Sequence, residues 1–135
     1  MIYTISQVTV KNNTSSLDRP IILYRGDRNV EIQFILVDRT FLQYKVEESN
    51  IIEDLEADKG QLIIMKPDST VEKSDVVNTK NGKIVFTVPE AMIDEASEVG
   101  IFTFQIRLFN EDLTSRVTLP PCIDGLVIEE PIAGY

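Results

Sequence analysis

The sequence predicts an all-β domain, an antiparallel β-sandwich of about seven to nine short strands. Three observations predict it. Apolar and polar residues alternate in several runs, most cleanly at Ile101–Phe109, where Phe102, Phe104, Ile106 and Leu108 share one face and Thr103, Gln105 and Arg107 the other. Turn-forming groups such as Arg25-Gly26-Asp27, Pro67-Asp68-Ser69, Asn81-Gly82 and Asp124-Gly125 punctuate the chain roughly every ten residues. A length of 135 residues, 43% hydrophobic and 26% charged, suits one globular domain with its own core.

The first strand spans Ile2–Val10 with a change of phase: Tyr3 and Ile5 point one way, Val8 and Val10 the other, which calls for a bulge or a change of sheet. Asn12–Asp18 is rich in turn-forming residues, and its overlapping sequons, Asn12-Asn13-Thr14 and Asn13-Thr14-Ser15, read as a polar turn. Pro20 opens a short edge strand through Ile21, Ile22 and Leu23. The Arg25-Gly26-Asp27 turn then leads into Asn29–Asp38, where Val30, Ile32, Phe34 and Leu36 form one face. Glu31, Gln33, Ile35 and Val37 form the other, polar at its start and apolar at its end, as expected of a central strand that finishes buried on both faces.

Phe41–Lys59 admits two readings. One is an irregular connection with a short strand near Gln43–Val46. The other is an amphipathic helix carrying Ile51, Ile52 and Leu55, with Asn50 and Glu53 as a capping box and Gly60 as its stop. An all-β surrounding offers such a helix little to pack on, which favours the connection. Gln61–Lys66 is a strand ended by Pro67-Asp68-Ser69, and Val71–Val77 a weaker one. Asn81-Gly82 marks a hairpin into Ile84, Phe86 and Val88. Pro89–Val99 has room for one helical turn, and Arg116–Leu119 and Leu126–Glu129 supply the last strands. Glu98-Val99-Gly100-Ile101-Phe102-Thr103-Phe104 has the spacing of the corner that marks immunoglobulin-like sandwiches, with Phe at the Tyr and Cys positions, so only its packing half can operate.

The formal net charge is −9, which argues against binding nucleic acid or an anionic membrane, since both need clustered Lys and Arg. No run approaches the roughly 18 to 20 apolar residues of a membrane span. The N-terminus lacks the basic start and apolar block of an export signal, so the expectation is synthesis in the cytoplasm. Cys122 is the single cysteine and reads as a small buried hydrophobe.

No catalytic constellation can be assembled. The chain contains no histidine, the commonest general base and transition-metal ligand, and no glycine-rich phosphate loop. The acidic run Glu53–Gly60 fails as a calcium loop: with Asp54, Glu56 and Asp58 as the first ligands, Met65 falls where a bidentate Glu is required. Expected catalytic, cofactor and metal residues are therefore none. Arg25-Gly26-Asp27 matches the tripeptide that integrin ligands display, but the plain reading is architectural: Gly26 supplies an unusual backbone conformation and Asp27 bonds downstream amides.

In order, these elements resemble the N-terminal domain of baseplate upper proteins from tails of phages that infect Gram-positive bacteria. The resemblance runs through Tyr24-Arg25-Gly26-Asp27 into the Val30–Val37 strand, Asp54-Leu55, Lys66-Pro67-Asp68-Ser69, Val88-Pro89, Gly100-Ile101-Phe102 and the closing strand near Leu126–Ile128. It covers nearly the whole chain through short, degenerate motifs. It implies a structural adaptor in the virion's tail baseplate. Its β domain would dock on the distal-tail protein ring beside further copies of itself, and a C-terminal part would carry receptor-binding proteins. On that reading residues 1–128 are the sandwich domain and 129–135 the start of a linker, the chain being shortened or a very short relative. The protein interface is left unassigned. The alternative is a non-catalytic sandwich module that binds a cell-surface ligand or carbohydrate.

Overall fold

The computed structural model describes residues 2–11, 14–38, 58–79, 83–94, 98–112 and 116–133. Along the chain these form β1 (Ile2–Lys11), β2 (Thr14–Leu17), β3 (Ile21–Tyr24), β4 (Glu31–Asp38), β5 (Lys59–Met65), β6 (Val71–Lys73), β7 (Val77–Asn78), β8 (Lys83–Thr87), the single-turn helix α1 (Glu90–Ile93), β9 (Gly100–Phe109), β10 (Arg116–Thr118) and β11 (Cys122–Glu129). Two sheets face each other. The smaller runs β2-β1-β4-β8, and the larger β3-β11-β9-β5-β6, with β10 beside β9 and β7 beside β5.

The all-β sandwich is as expected, but the sheets are mixed rather than purely antiparallel. β1 and β4 pair in parallel, as do β3 and β11; the other pairs are antiparallel. The reason is connectivity. Between β1 and β4 the chain visits the other sheet through β3, and a crossover of that kind can return in the same direction, which a tight hairpin cannot.

Eleven strands among the described residues exceed the expected seven to nine, because one segment divides and one expected turn is extended. Thr14–Leu17 pairs with the end of β1 instead of turning freely. The Val71–Val77 strand breaks into β6 and β7 at Ser74, whose buried hydroxyl accepts the Leu62 amide at 2.9 Å and donates to the Asp75 carbonyl at 3.0 Å. The last strand starts at Cys122, with a register shift between Cys122 and Leu126. β10 and β11 occupy one edge of β9 in succession, since Pro120 and Pro121 between them have no amide to donate.

β4 lies between β1 and β8, the interior position expected of it. Ile32, Phe34 and Leu36 face inward and are fully buried, while Ile35 on the other face is only half-buried. The bulge in β1 lies at its start, between Ile2 and Thr4. After it the strand holds one phase: Ser6 and Val8 point in, and Tyr3 and Ile5 stay exposed. Thus Ser6 occupies a core position that alternation of apolar residues could not reveal.

The core joins both inner faces. Phe34 lies at its centre, 5.9 Å from the Phe86 ring in its own sheet and 5.3 Å from Phe104 in the facing one. Leu62, Ile64, Phe102, Ile106, Leu108, Leu126 and Ile128 line the larger sheet's inner face, and Met92 and Ile93 of α1 are buried with them. The helical turn expected within Pro89–Val99 is α1. The Lys66–Ser69 turn is closed by the Ser69 amide on the Lys66 carbonyl at 2.9 Å. Residues 12–13, 81–82 and 41–57 of the Phe41–Lys59 segment lie outside the described residues. Lys59 and Gly60 belong to β5, so Gly60 is no helix stop; β7 pairs with β5 while β8 pairs with β4, so the strands on either side of Asn81-Gly82 do not form the expected hairpin.

Candidate protein interface

The Arg25-Gly26-Asp27 turn carries β3 of the larger sheet over to β4 of the smaller, and hydrogen bonds pin it on two sides. The Arg25 amide donates to the Glu129 carbonyl at 2.9 Å, the Gly26 amide to the Ile93 carbonyl, and the Asp27 amide to the Tyr24 carbonyl at 3.2 Å. Gly26 has φ 98°, a conformation that strains any side chain. The Arg25 guanidinium pairs with Glu130. All three residues are half-buried and the backbone is tied to β11 and α1, whereas a ligand tripeptide needs a freely presented loop tip. This geometry supports the architectural reading of the turn.

Cys122 is buried between the sheets. Burial pushes its thiol up from the ordinary range, opposed in part by a backbone hydrogen bond at Leu17. A thiol held neutral is a poor nucleophile. The narrow space it shares with Val8, Ser15, Phe104 and Leu119 has no room for a water molecule, and the buried Ser15 hydroxyl has no partner there among the described residues. Among those residues no group of three or more Cys, Asp or Glu side chains is arranged to hold a metal ion.

The outer face of the larger sheet departs from the polar surface that alternation predicts. Val127 of β11 stands between Ile22 of β3 and Ile101 of β9, all in register and all pointing outward. The next outward positions are Thr103, opposite Met65, with Val71 of β6 opposite Met65 in turn. Ile22 is 41% exposed, Met65 43%, Val71 49% and Ile101 55%; Tyr24 and Val99 extend the stripe at one end. The Tyr3 hydroxyl donates to the Ile22 carbonyl at 3.0 Å, covering part of the free edge of β3. Burial, then the charges of Tyr24 and Asp27, raise the Tyr3 phenol above its ordinary value.

Charge surrounds this stripe unevenly. Glu129 faces Tyr24 across the β3–β11 pair, and Asp124 donates its amide to the Thr103 hydroxyl at 3.4 Å. Asp68, in the β5–β6 turn, accepts from the Thr70 hydroxyl at 2.6 Å and the Thr70 amide at 3.0 Å, and these bonds hold its carboxyl below the usual range. Asp68, Asp94 and Glu98 also line a cleft of about 300 Å³ with Lys66, Met92 and Phe102. Lys66 pairs with Glu72 at 3.5 Å and Arg25 with Glu130, and exposed Lys73 stands two residues from Val71 on the same outer face, opposite Ile63. At the far end of β9 the same outer face turns cationic, where Arg107 and Arg116 line a trough of about 550 Å³ with Gln61, Phe109 and Thr118. The outward residues come from five strands, so no local motif could have revealed this surface.

No protein-family model matches the chain, and no curated protein matches it in sequence. Among solved structures it is similar to the N-terminal domain of phage TP901-1 ORF48, with TM-score 0.59 and 14% identity, over 94% of this chain and 99% of that one. Auracyanin B aligns over 96% of this chain and 91% of its own at 9% identity, with a TM-score of only 0.32, which carries no argument. At this identity the first likeness establishes a shared fold.

Proposed function

We propose that this chain is a structural, non-catalytic component of a phage tail baseplate. In this role it is an adaptor that docks on the distal-tail ring beside further copies of itself and carries receptor-binding proteins through a C-terminal region. The observation that carries the reading is the whole-domain likeness to the ORF48 N-terminal domain, end to end in both chains. The RGD turn absorbed into the fold and the exposed apolar outer face of the larger sheet also support it.

In such an assembly each docking event can be weak, because copies tethered to one ring act together. Two measurements test the proposal. Mass spectrometry of purified particles of the encoding phage should find the chain among tail proteins. The domain, tethered into multimers, should capture the cognate distal-tail protein; no capture at high micromolar concentration would refute the adaptor role.

A further inference from the structure

We infer that the cationic trough at the far end of β9 is a binding site for a carboxylate-bearing segment of a partner protein. The site goes beyond the proposed function and does not depend on it. Its grounds lie in the register of three neighbouring strands. Arg107 of β9 stands between Gln61 of β5 and Thr118 of β10, and in the next outward row Phe109 stands between Lys59 and Arg116. All six share the outer face, because the alternate residues Leu62, Ile106 and Leu108 are buried in the core. These positions hold three cations and no acid, in a chain of formal charge −9.

Lys59 and Gln61 turn away from the trough: Lys59 donates to Asn78 Oδ1 at 2.6 Å on the β7 side of β5, and Gln61 donates its amide to the Ser74 carbonyl at 3.0 Å. Arg107 and Arg116 remain. Among the described residues neither pairs with an acid, although exposed Glu111 and Asp112 stand in the turn beyond Phe109. As diagonal neighbours on an antiparallel pair their stems are roughly 7–8 Å apart, close enough for both guanidiniums to serve one acidic group. A guanidinium fork matches a carboxylate or a phosphate through two parallel hydrogen bonds. Half-buried Phe109 beside them decides between the two, since it offers an apolar floor that the stems of Asp or Glu can cover and a free phosphate ion cannot. The trough of about 550 Å³ also exceeds what one small ion fills. Arginine beside an aromatic ring is the pairing enriched where proteins meet, and opposite charge steers the encounter.

The test is fluorescence anisotropy of a dye-labelled oligoglutamate peptide against the purified chain at low ionic strength. R107Q/R116Q is expected to weaken binding at least tenfold. R19Q/R28Q removes the same charge at two exposed arginines outside the trough and is expected to change binding less than twofold. R107K/R116K keeps the charge but loses the fork, and should bind at least threefold more weakly than the parent. Circular dichroism checks that each variant is folded; R116Q alone, at an exposed position, carries the test if the double variant is not. Equal weakening by R107Q/R116Q and R19Q/R28Q would reduce the effect to overall charge and overturn the inference. So would no binding by the parent at high micromolar concentration, or displacement of the peptide by an equal concentration of inorganic phosphate. Self-association of the chain that R107Q/R116Q abolishes would put a second copy in the trough and overturn it as well.

Discussion

Gly125 is the position where one added methyl group should do most harm. A Cβ there would lie 2.6 Å from the Cys122 sulfur, 2.9 Å from the edge of the Phe104 ring and 3.2 Å from the Leu17 methyl. Cys122 and Phe104 are buried between the sheets, and Leu17 packs in from β2, so each neighbour is boxed in. Overpacking of this kind costs about 1–3 kcal/mol, and two contacts below 3.0 Å place Gly125→Ala in the upper half of that range. Domains of this size are stable by only about 5–15 kcal/mol, so the loss is large. Urea unfolding followed by circular dichroism should show a lower midpoint with an unchanged slope. The second variant isolates the cause. Cys122→Ala removes the nearest clash, so the G125A/C122A pair should be less destabilised than the sum of the two single changes, by roughly 0.5–3 kcal/mol of coupling. Strict additivity, or a Gly125→Ala midpoint equal to the parent's, would refute the packing argument.

Phe34→Ala should destabilise by about 3–5 kcal/mol, measured in the same assay, because it empties the centre between Phe86 and Phe104. Gly26→Ala should cost at least about 1 kcal/mol, since alanine resists φ 98° while the turn's hydrogen bonds hold it there. Tyr3 makes stability depend on alkaline pH: only the neutral phenol can donate to Ile22, and its folded pKa is raised above the ordinary 10.0. That contribution is complete below pH 10.0 and lost as pH rises through the raised value; Tyr3→Phe should lack this limb in unfolding measured from pH 8 to 11.

Much of the fold was legible because a buried face writes a period of two into the sequence. β4, β8 and β9 stand where alternation placed them, and the Lys66–Ser69 turn and α1 fall within their expected segments. Strand direction was not legible, since a strand's side-chain pattern is the same whether its neighbour runs parallel or antiparallel. Ser6 hid the phase of β1 by putting a hydroxyl in the core, and Ser74 hid the break between β6 and β7 because its role is a hydrogen bond to distant Leu62. The apolar outer stripe was invisible for another reason. Ile22, Met65, Val71, Ile101 and Val127 each look like ordinary strand residues, and only the pairing of five strands brings them together.

The parallel pairing of β3 with β11 has a consequence for how the chain is made. Leu126 leaves the ribosome long after Ile21, yet they are register partners. β1 can meet β4 during synthesis, but the edge formed by β3 must wait for β11, which follows every other described strand. Contacts so distant in sequence impose a loop-closure cost before any burial repays it, which makes closure of the larger sheet a slow, late event. The nascent domain therefore stays an open two-layer shell until its final strand arrives, and a chain cut before β11 would leave β3 without its only strand partner among the described residues.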